Sequence, residues 1–67
     1  MRILVNDEPR DVAEAATLAT FMHSLQLPSF DGVAVACNEA VVPRDRWNAH
    51  PLRESDRLLI IHATQGG

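Results

Sequence analysis

The sequence has no lysine, no tyrosine, a single cysteine and only three glycines. Each scarcity narrows what the chain can be. A lone cysteine, Cys37, cannot build an internal disulfide framework and leaves no partner for a cysteine-rich metal site. All six basic residues are arginines, scattered between Arg2 and Arg57, and nine acidic residues outweigh them to a net charge of −3. Nucleic acid and anionic membrane call for a clustered basic face, so neither is an expected partner. The chain holds no transmembrane-length apolar run. Its opening, Met1-Arg2-Ile3-Leu4-Val5, lacks the basic stretch, apolar core and cleavage site of a secretory signal. The expected location is the cytoplasm.

What is present is an ordinary globular balance, 46% hydrophobic and 22% charged, in 67 residues. That length makes one domain, residues 1–67, with the last four as a flexible tail. A chain of this size buries only ~60% of its unfolded surface, which leaves little for an internal catalytic cleft. No cofactor-binding loop, and hence no cofactor, is expected.

Periodicity sets out the elements. Met1 to Asn6 alternates as a strand with Met1, Ile3 and Val5 on the core side. Asn6-Asp7-Glu8-Pro9 is turn chemistry, returning the chain into a short second strand near Arg10 to Val12. Leu18, Phe21, Met22 and Leu25 recur at helical spacing behind Thr17, whose hydroxyl can cap the first turn, and the helix ends before Pro28. The glutamate or glutamine that would complete a capping box is missing, because Thr20 stands there. Gly32 to Cys37 is apolar on both faces, as an interior strand is. Asn38-Glu39 reads as a tight turn into a short strand, Ala40 to Val42, that Pro43 ends. A polar segment around Trp47 follows, irregular or single-turn helical, and Leu58 to Ala63 is the last strand.

One helix covers one face of such a sheet. With Leu58 and Ile60 under the helix, Leu59 and Ile61 point to the open face together with Leu4, forming an apolar patch suited to a partner. Thr64, Gln65, Gly66 and Gly67 then follow the last strand. Taken alone, Gly66-Gly67 reads as a frayed terminus. The alternative reading is chemical: a carboxylate on a thread without Cβ atoms can enter a narrow channel in another protein and lie against a nucleotide phosphate.

The other candidates are weaker. Cys37, in an apolar strand, reads as a buried, inert thiol. His23, His50 and His62 have no metal-ligand spacing, although His62 lies near the tail, and no metal is expected. Trp47 reads as a lid over the sheet edge with its indole N–H on a backbone acceptor. Arg44 is either a helper to the adjacent turn or a rim contact for a partner. Asp7, Glu8, Asp11, Asp45, Glu54 and Asp56 read mostly as turn and surface carboxylates, with no pair spaced for acid–base work. No catalytic residue is expected.

The element order, the Gly66-Gly67 end, Ala36-Cys37-Asn38-Glu39 and the Pro43-Arg44-Asp45-Arg46-Trp47 segment together resemble the ubiquitin-like β-grasp sulfur carriers, and most closely those of the ThiS type in thiamine biosynthesis. The resemblance covers the whole chain. Pro-Arg-x-x-Trp is its most specific part, since it looks like the thiamine branch and not the molybdopterin branch. Ser55 stands before Asp56 where the family often has glycine, and Gln65 where it often has a small residue. The resemblance implies an α+β, β-grasp fold: a mixed five-stranded sheet with one helix on one face. It also implies that the Gly67 carboxylate is adenylated by a ThiF-like enzyme with ATP and converted to a thiocarboxylate by a sulfur donor such as a cysteine desulfurase. The sulfur then passes to thiazole synthase. The chain is then a carrier, not an enzyme; Thr64, Gln65 and Gly66 occupy the partner's channel, and Leu4, Leu59, Ile61 and Arg44 dock it. The rival readings are a molybdopterin-type carrier and a ubiquitin-like interaction module with an incidental Gly-Gly end.

Overall fold

The computed structural model describes residues 1–63; the tail residues Thr64, Gln65, Gly66 and Gly67 lie outside the described residues. Five strands, β1 (Arg2–Val5), β2 (Glu8–Asp11), β3 (Val33–Cys37), β4 (Ala40–Val41) and β5 (Arg57–His62), form one sheet in the order β2-β1-β5-β3-β4. β1 and β5 run parallel, and every other neighbouring pair is antiparallel. A single helix, α1 (Leu18–Ser24), covers one face, and a 3₁₀ helix (Arg44–Ala49) packs beside it. This is the mixed five-stranded sheet and lone helix of the β-grasp fold.

The two hairpins turn on residue pairs whose backbones are both left-handed, Asn6-Asp7 (φ 51 and 70) and Asn38-Glu39 (φ 51 and 75). Two successive positive φ values match the twist of antiparallel strands, and asparagine tolerates them best among residues with a Cβ. The first turn is therefore tighter than its sequence suggests. Glu8 and Pro9 belong to β2 and not to the turn. Pro9 is tolerated there because β2 is an edge strand and Pro9, opposite Leu4, falls between the ladder steps at Ile3 and Val5.

Helix α1 begins on a complete capping box despite the missing acid. Thr17 Oγ1 accepts from the Thr20 amide at 3.2 Å, and Thr20 Oγ1 accepts from the Thr17 amide at 2.9 Å. A threonine at the third helical position is just long enough to reach back. The helix buries Leu18, Ala19, Phe21 and Met22 against Ile3, Val5, Val35, Cys37 and Leu58 of the sheet, with Trp47 and Leu52 closing the core.

The alternation of β5 places Leu58 in that core and Ile60 partly buried against it. β1 reaches only as far as Leu58 along β5; beyond it, the Asn6 side chain stands in for a strand, its Oδ1 accepting from the Ile60 amide at 2.8 Å. β3 continues alongside β5 to the Val33–His62 pair. Among the described residues, no helix is long and apolar enough to cross a membrane.

Candidate functional site

The open face of the sheet is built by strand parity. Residues of β5 that do not enter the core, Leu59 and Ile61, stand opposite Ala36 and Ala34 of β3. Ala36 in turn pairs with Val41 of β4, and Leu4 of β1 pairs with Arg57 of β5. All of these side chains share the face away from α1, because neighbours directly across a sheet point the same way. The small alanines leave a shallow floor between larger residues. Leu59 and Ile61 are each 50% exposed and Val41 is 72% exposed, the three large exposed hydrophobics among the described residues. Leu4 is partly exposed.

Charge frames the apolar floor at one end. A hollow there is lined by Leu4, Asn6, Asp7, Ala36, Glu39, Arg57, Leu58 and Leu59, and the Arg57 guanidinium lies 3.8 Å from the Glu39 carboxylate. Both charged groups are solvated, so the pair contributes little to stability and can exchange partners when another surface approaches.

The structure thus brings Leu4, Leu59 and Ile61 together and adds Val41, which the sequence reading passed over. The available signal was the period of two, by which Val41 and Val42 must point to opposite faces; the structure puts Val42 in the core and Val41 on the open face. Arg44 is not part of this face. It begins the 3₁₀ helix beside α1, with its guanidinium carbon 5.2 Å from the centroid of the Phe30 ring. Phe30 meets Trp47 edge to face at 5.4 Å and His23 at 5.3 Å. Trp47 is buried, and its indole N–H donates to the Val42 carbonyl at 2.9 Å.

A polar node braces the base of β5. Asp56 is buried, unlike the surface role expected for it, because its two oxygens are both engaged: Oδ1 accepts from Asn38 Nδ2 at 2.9 Å and Oδ2 from the Arg53 amide at 2.8 Å. The Arg57 amide donates to Asn38 Oδ1 at 2.9 Å, so one asparagine joins the β3–β4 turn to the start of β5. Ser55, just before, takes a left-handed backbone, φ 71, that a glycine would adopt freely. Cys37 is a buried free thiol, and burial, reinforced by the nearby Asp56 charge, pushes it up and away from thiolate formation. Among the described residues, no cluster of histidine, cysteine and carboxylate side chains could hold a metal ion.

β5 delivers the chain from this face toward Thr64. Ala63 is the last described residue, one step beyond the Val33–His62 pair, and its amide donates to the Gly32 carbonyl at 2.6 Å. In the sequence, Gly66-Gly67 follows this strand after Ala63, Thr64 and Gln65. The sequence profile of the ThiS family matches residues 3–67. The chain belongs to the ThiS family. Similar proteins agree with that membership. The sulfur carrier protein ThiS of Escherichia coli is 31% identical over 67 residues, all of both chains. A thiazole synthase of Magnetococcus marinus is 34% identical over 67 residues, all of this chain but only 20% of the enzyme. Among solved structures, the crystal structure of the thiamine biosynthesis protein ThiS of Geobacter metallireducens superposes with a TM-score of 0.85 at 25% identity, covering 100% of both chains. The solution structure of a thiamine biosynthesis protein from the same organism gives 0.80 at 25% identity, covering all of this chain and 88% of that one.

Proposed function

We propose that this ThiS-family chain carries sulfur for thiazole formation in thiamine biosynthesis, as a thiocarboxylate made on the carboxyl group of Gly67. The observation behind this reading is the continuity of the apolar open face with β5, which ends at His62, one residue before Ala63, with Thr64, Gln65, Gly66 and Gly67 still to come. Four extended residues span at most roughly 13 to 14 Å, enough to take a carboxylate from a docked surface into a partner's active site.

The chemistry needs activation, because a carboxylate is a poor acyl donor. A ThiF-like adenylating enzyme supplies it: a Gly67 carboxylate oxygen attacks the α-phosphorus of ATP, pyrophosphate leaves, and the acyl adenylate forms. The terminal sulfur of a donor's persulfide, such as that of a cysteine desulfurase, then attacks the carbonyl carbon, and AMP leaves with the carboxylate oxygen. A second thiol attacks the donor sulfur of the resulting acyl disulfide, forming a disulfide with it and releasing the thiocarboxylate. Thiazole synthase receives the sulfur. A stretch like this chain within one thiazole synthase supports that last partnership, since it places carrier-like sequence and acceptor enzyme in one polypeptide. The chain contributes no general acid or base; it is the substrate of its partners. The open face, centred on Leu4, Leu59 and Ile61, docks them, while Thr64, Gln65 and Gly66 line up in the partner's channel. Arg44 meets a partner from the helix side.

The test is ATP–pyrophosphate exchange with the adenylating enzyme, using the chain ending at Gly67 and a form extended by one residue. Exchange supported by the first and abolished in the second is the expected result, with both forms folded by circular dichroism. Equal exchange by the extended form refutes the carboxylate as the reacting group and favours a docking module with an incidental Gly-Gly end.

A further inference from the structure

Gly32 and Ala63 extend the β3–β5 pairing one step past Val33 and His62, the last such contact among the described residues. Gly32 is left-handed, φ +73, a backbone that residues with a Cβ rarely adopt. A Cβ placed on it would stand 3.1 Å from the Ala63 carbonyl oxygen and 3.6 Å from the Ala63 Cβ. Both nearest groups belong to the residue from which the tail departs. Gly32 is itself held from behind. The Val33 amide donates to the Phe30 carbonyl at 3.0 Å, closing a turn around Asp31 and Gly32, and the Asp31 amide donates to Ser29 Oγ at 3.0 Å. The Phe30 ring is fixed against buried Trp47 and lies under the Arg44 guanidinium. Trp47 thus packs on the Phe30 ring, the Phe30 carbonyl closes the turn that contains Gly32, and the Gly32 carbonyl accepts from the Ala63 amide.

We infer that Gly32 is a positioning residue for the chemistry at Gly67: braced by Phe30 and Trp47, it holds Ala63 on the sheet and so sets the point and direction from which the four-residue tail leaves. The inference rests on the carrier reading above. Its physical basis is that a displaced root moves everything beyond it. Docking through the open face is unaffected by such a displacement, but fewer docked chains present the carboxylate to ATP. Unfixing one residue's backbone costs roughly a tenfold loss of the competent population. The same construction gives the Pro-Arg-x-x-Trp segment a purpose inside the molecule, since Arg44 and Trp47 both bear on Phe30.

Two substitutions separate this role from a merely conformational one. Gly32→Ala adds a Cβ and strains the left-handed backbone, whereas Gly32→Asn adds the same Cβ with less strain. If Gly32 matters only for its backbone, asparagine rescues; if its missing Cβ makes room for Ala63, asparagine does not. The measurements are pyrophosphate exchange with the adenylating enzyme, resolved into kcat and KM for the carrier, and hydrogen exchange of the Ala63 amide by NMR. Both variants are expected to lower kcat about tenfold with KM within about twofold, and to speed Ala63 amide exchange about tenfold, while core amides such as that of Val35 keep their protection. Wild-type kcat and Ala63 protection in either variant overturn the inference. Should Gly32→Ala fail to fold, Phe30→Leu, which removes the ring beneath Arg44, carries the same expectation of lower kcat at constant KM, and wild-type kcat there overturns it equally. Lack of exchange by the unsubstituted chain would instead refute the carrier reading, and the inference would fall with it.

Discussion

Two residues of β5, Leu58 and Ile61, should respond in opposite ways to the same substitution. Leu58 is 3% exposed beneath α1, while Ile61 is 50% exposed on the open face. Placing a carboxylate at Leu58 removes a buried aliphatic side chain worth about 2 to 5 kcal/mol and leaves an unpaired acid in the core, costing several kcal/mol more. A domain of this size has roughly 3 to 10 kcal/mol of stability to lose. Leu58→Asp is therefore expected to unfold the chain. Ile61→Asp leaves the free chain intact, because half of that side chain is already in water. The other half-measure of burial is realised only on docking. Fully burying an isoleucine is worth about 1.5 to 3 kcal/mol, so its remaining exposed half contributes about 1 kcal/mol to a partner. Desolvating a carboxylate at the same place adds at least as much again against binding. The sum exceeds the ~1.4 kcal/mol of a tenfold change, so Kd should rise by well over tenfold. Thermal melting by circular dichroism and calorimetric titration against the adenylating enzyme read the two effects separately. An Ile61→Asp chain that melts like Leu58→Asp, or binds like wild type, would refute the assignment of this face. Ile60, only partly buried, makes a weaker folding control than Leu58.

Ser55→Gly should raise stability by about 0.5 to 1 kcal/mol in a denaturant titration, since it relieves a left-handed backbone at φ 71; an unchanged midpoint would mean the turn is unstrained. Cys37 should resist alkylation in the folded chain at neutral pH and react on unfolding, and Cys37→Ala should cost about 1 to 2 kcal/mol without impairing thiocarboxylate formation, judged by intact mass. The exposed Arg2–Asp11 pair, 3.0 Å across the β1–β2 hairpin, lowers the Asp11 carboxyl chiefly through the hydrogen bond from Arg2. Whatever the pair adds to stability is present above the unfolded carboxyl's value and is lost as pH falls through the lowered one. Arg2→Gln should move the Asp11 NMR titration midpoint upward, with the shift shrinking in high salt.

Much of this architecture could be read from residue order because it depends on local rules. The split of Leu58 from Leu59 follows from a period of two, and Asn6 and Asn38 announce their turns by chemistry. What escaped reading depends on distant neighbours. Asp56 looks like any loop carboxylate until Asn38, eighteen positions earlier, arrives to bond it. Glu39 and Ser55 are poor left-handed residues; Glu39 is held between β3 and β4, and Ser55 by its amide, which donates to the Arg2 carbonyl at 2.8 Å. Thr20 completes a capping box that residue type alone argued against. Arg44 was legible as unusual but not as lying on Phe30, because the loop carrying Phe30 has no period to locate it. The chemistry proposed for the tail came only through resemblance, since two glycines specify no reaction.

The Asn6 side chain divides β5 into two mechanical regimes. Up to Leu58 the strand is gripped on both flanks, by β1 and by β3; Asn6 extends that double grip to the Ile60 amide, and from Ile61 onward β3 alone holds it. A pull applied beyond Ala63 would therefore unzip the strand one rung at a time from its far end, first at Gly32, then along β3. At Ile60 it would meet a second hold, the Asn6 side chain, added to that of β3.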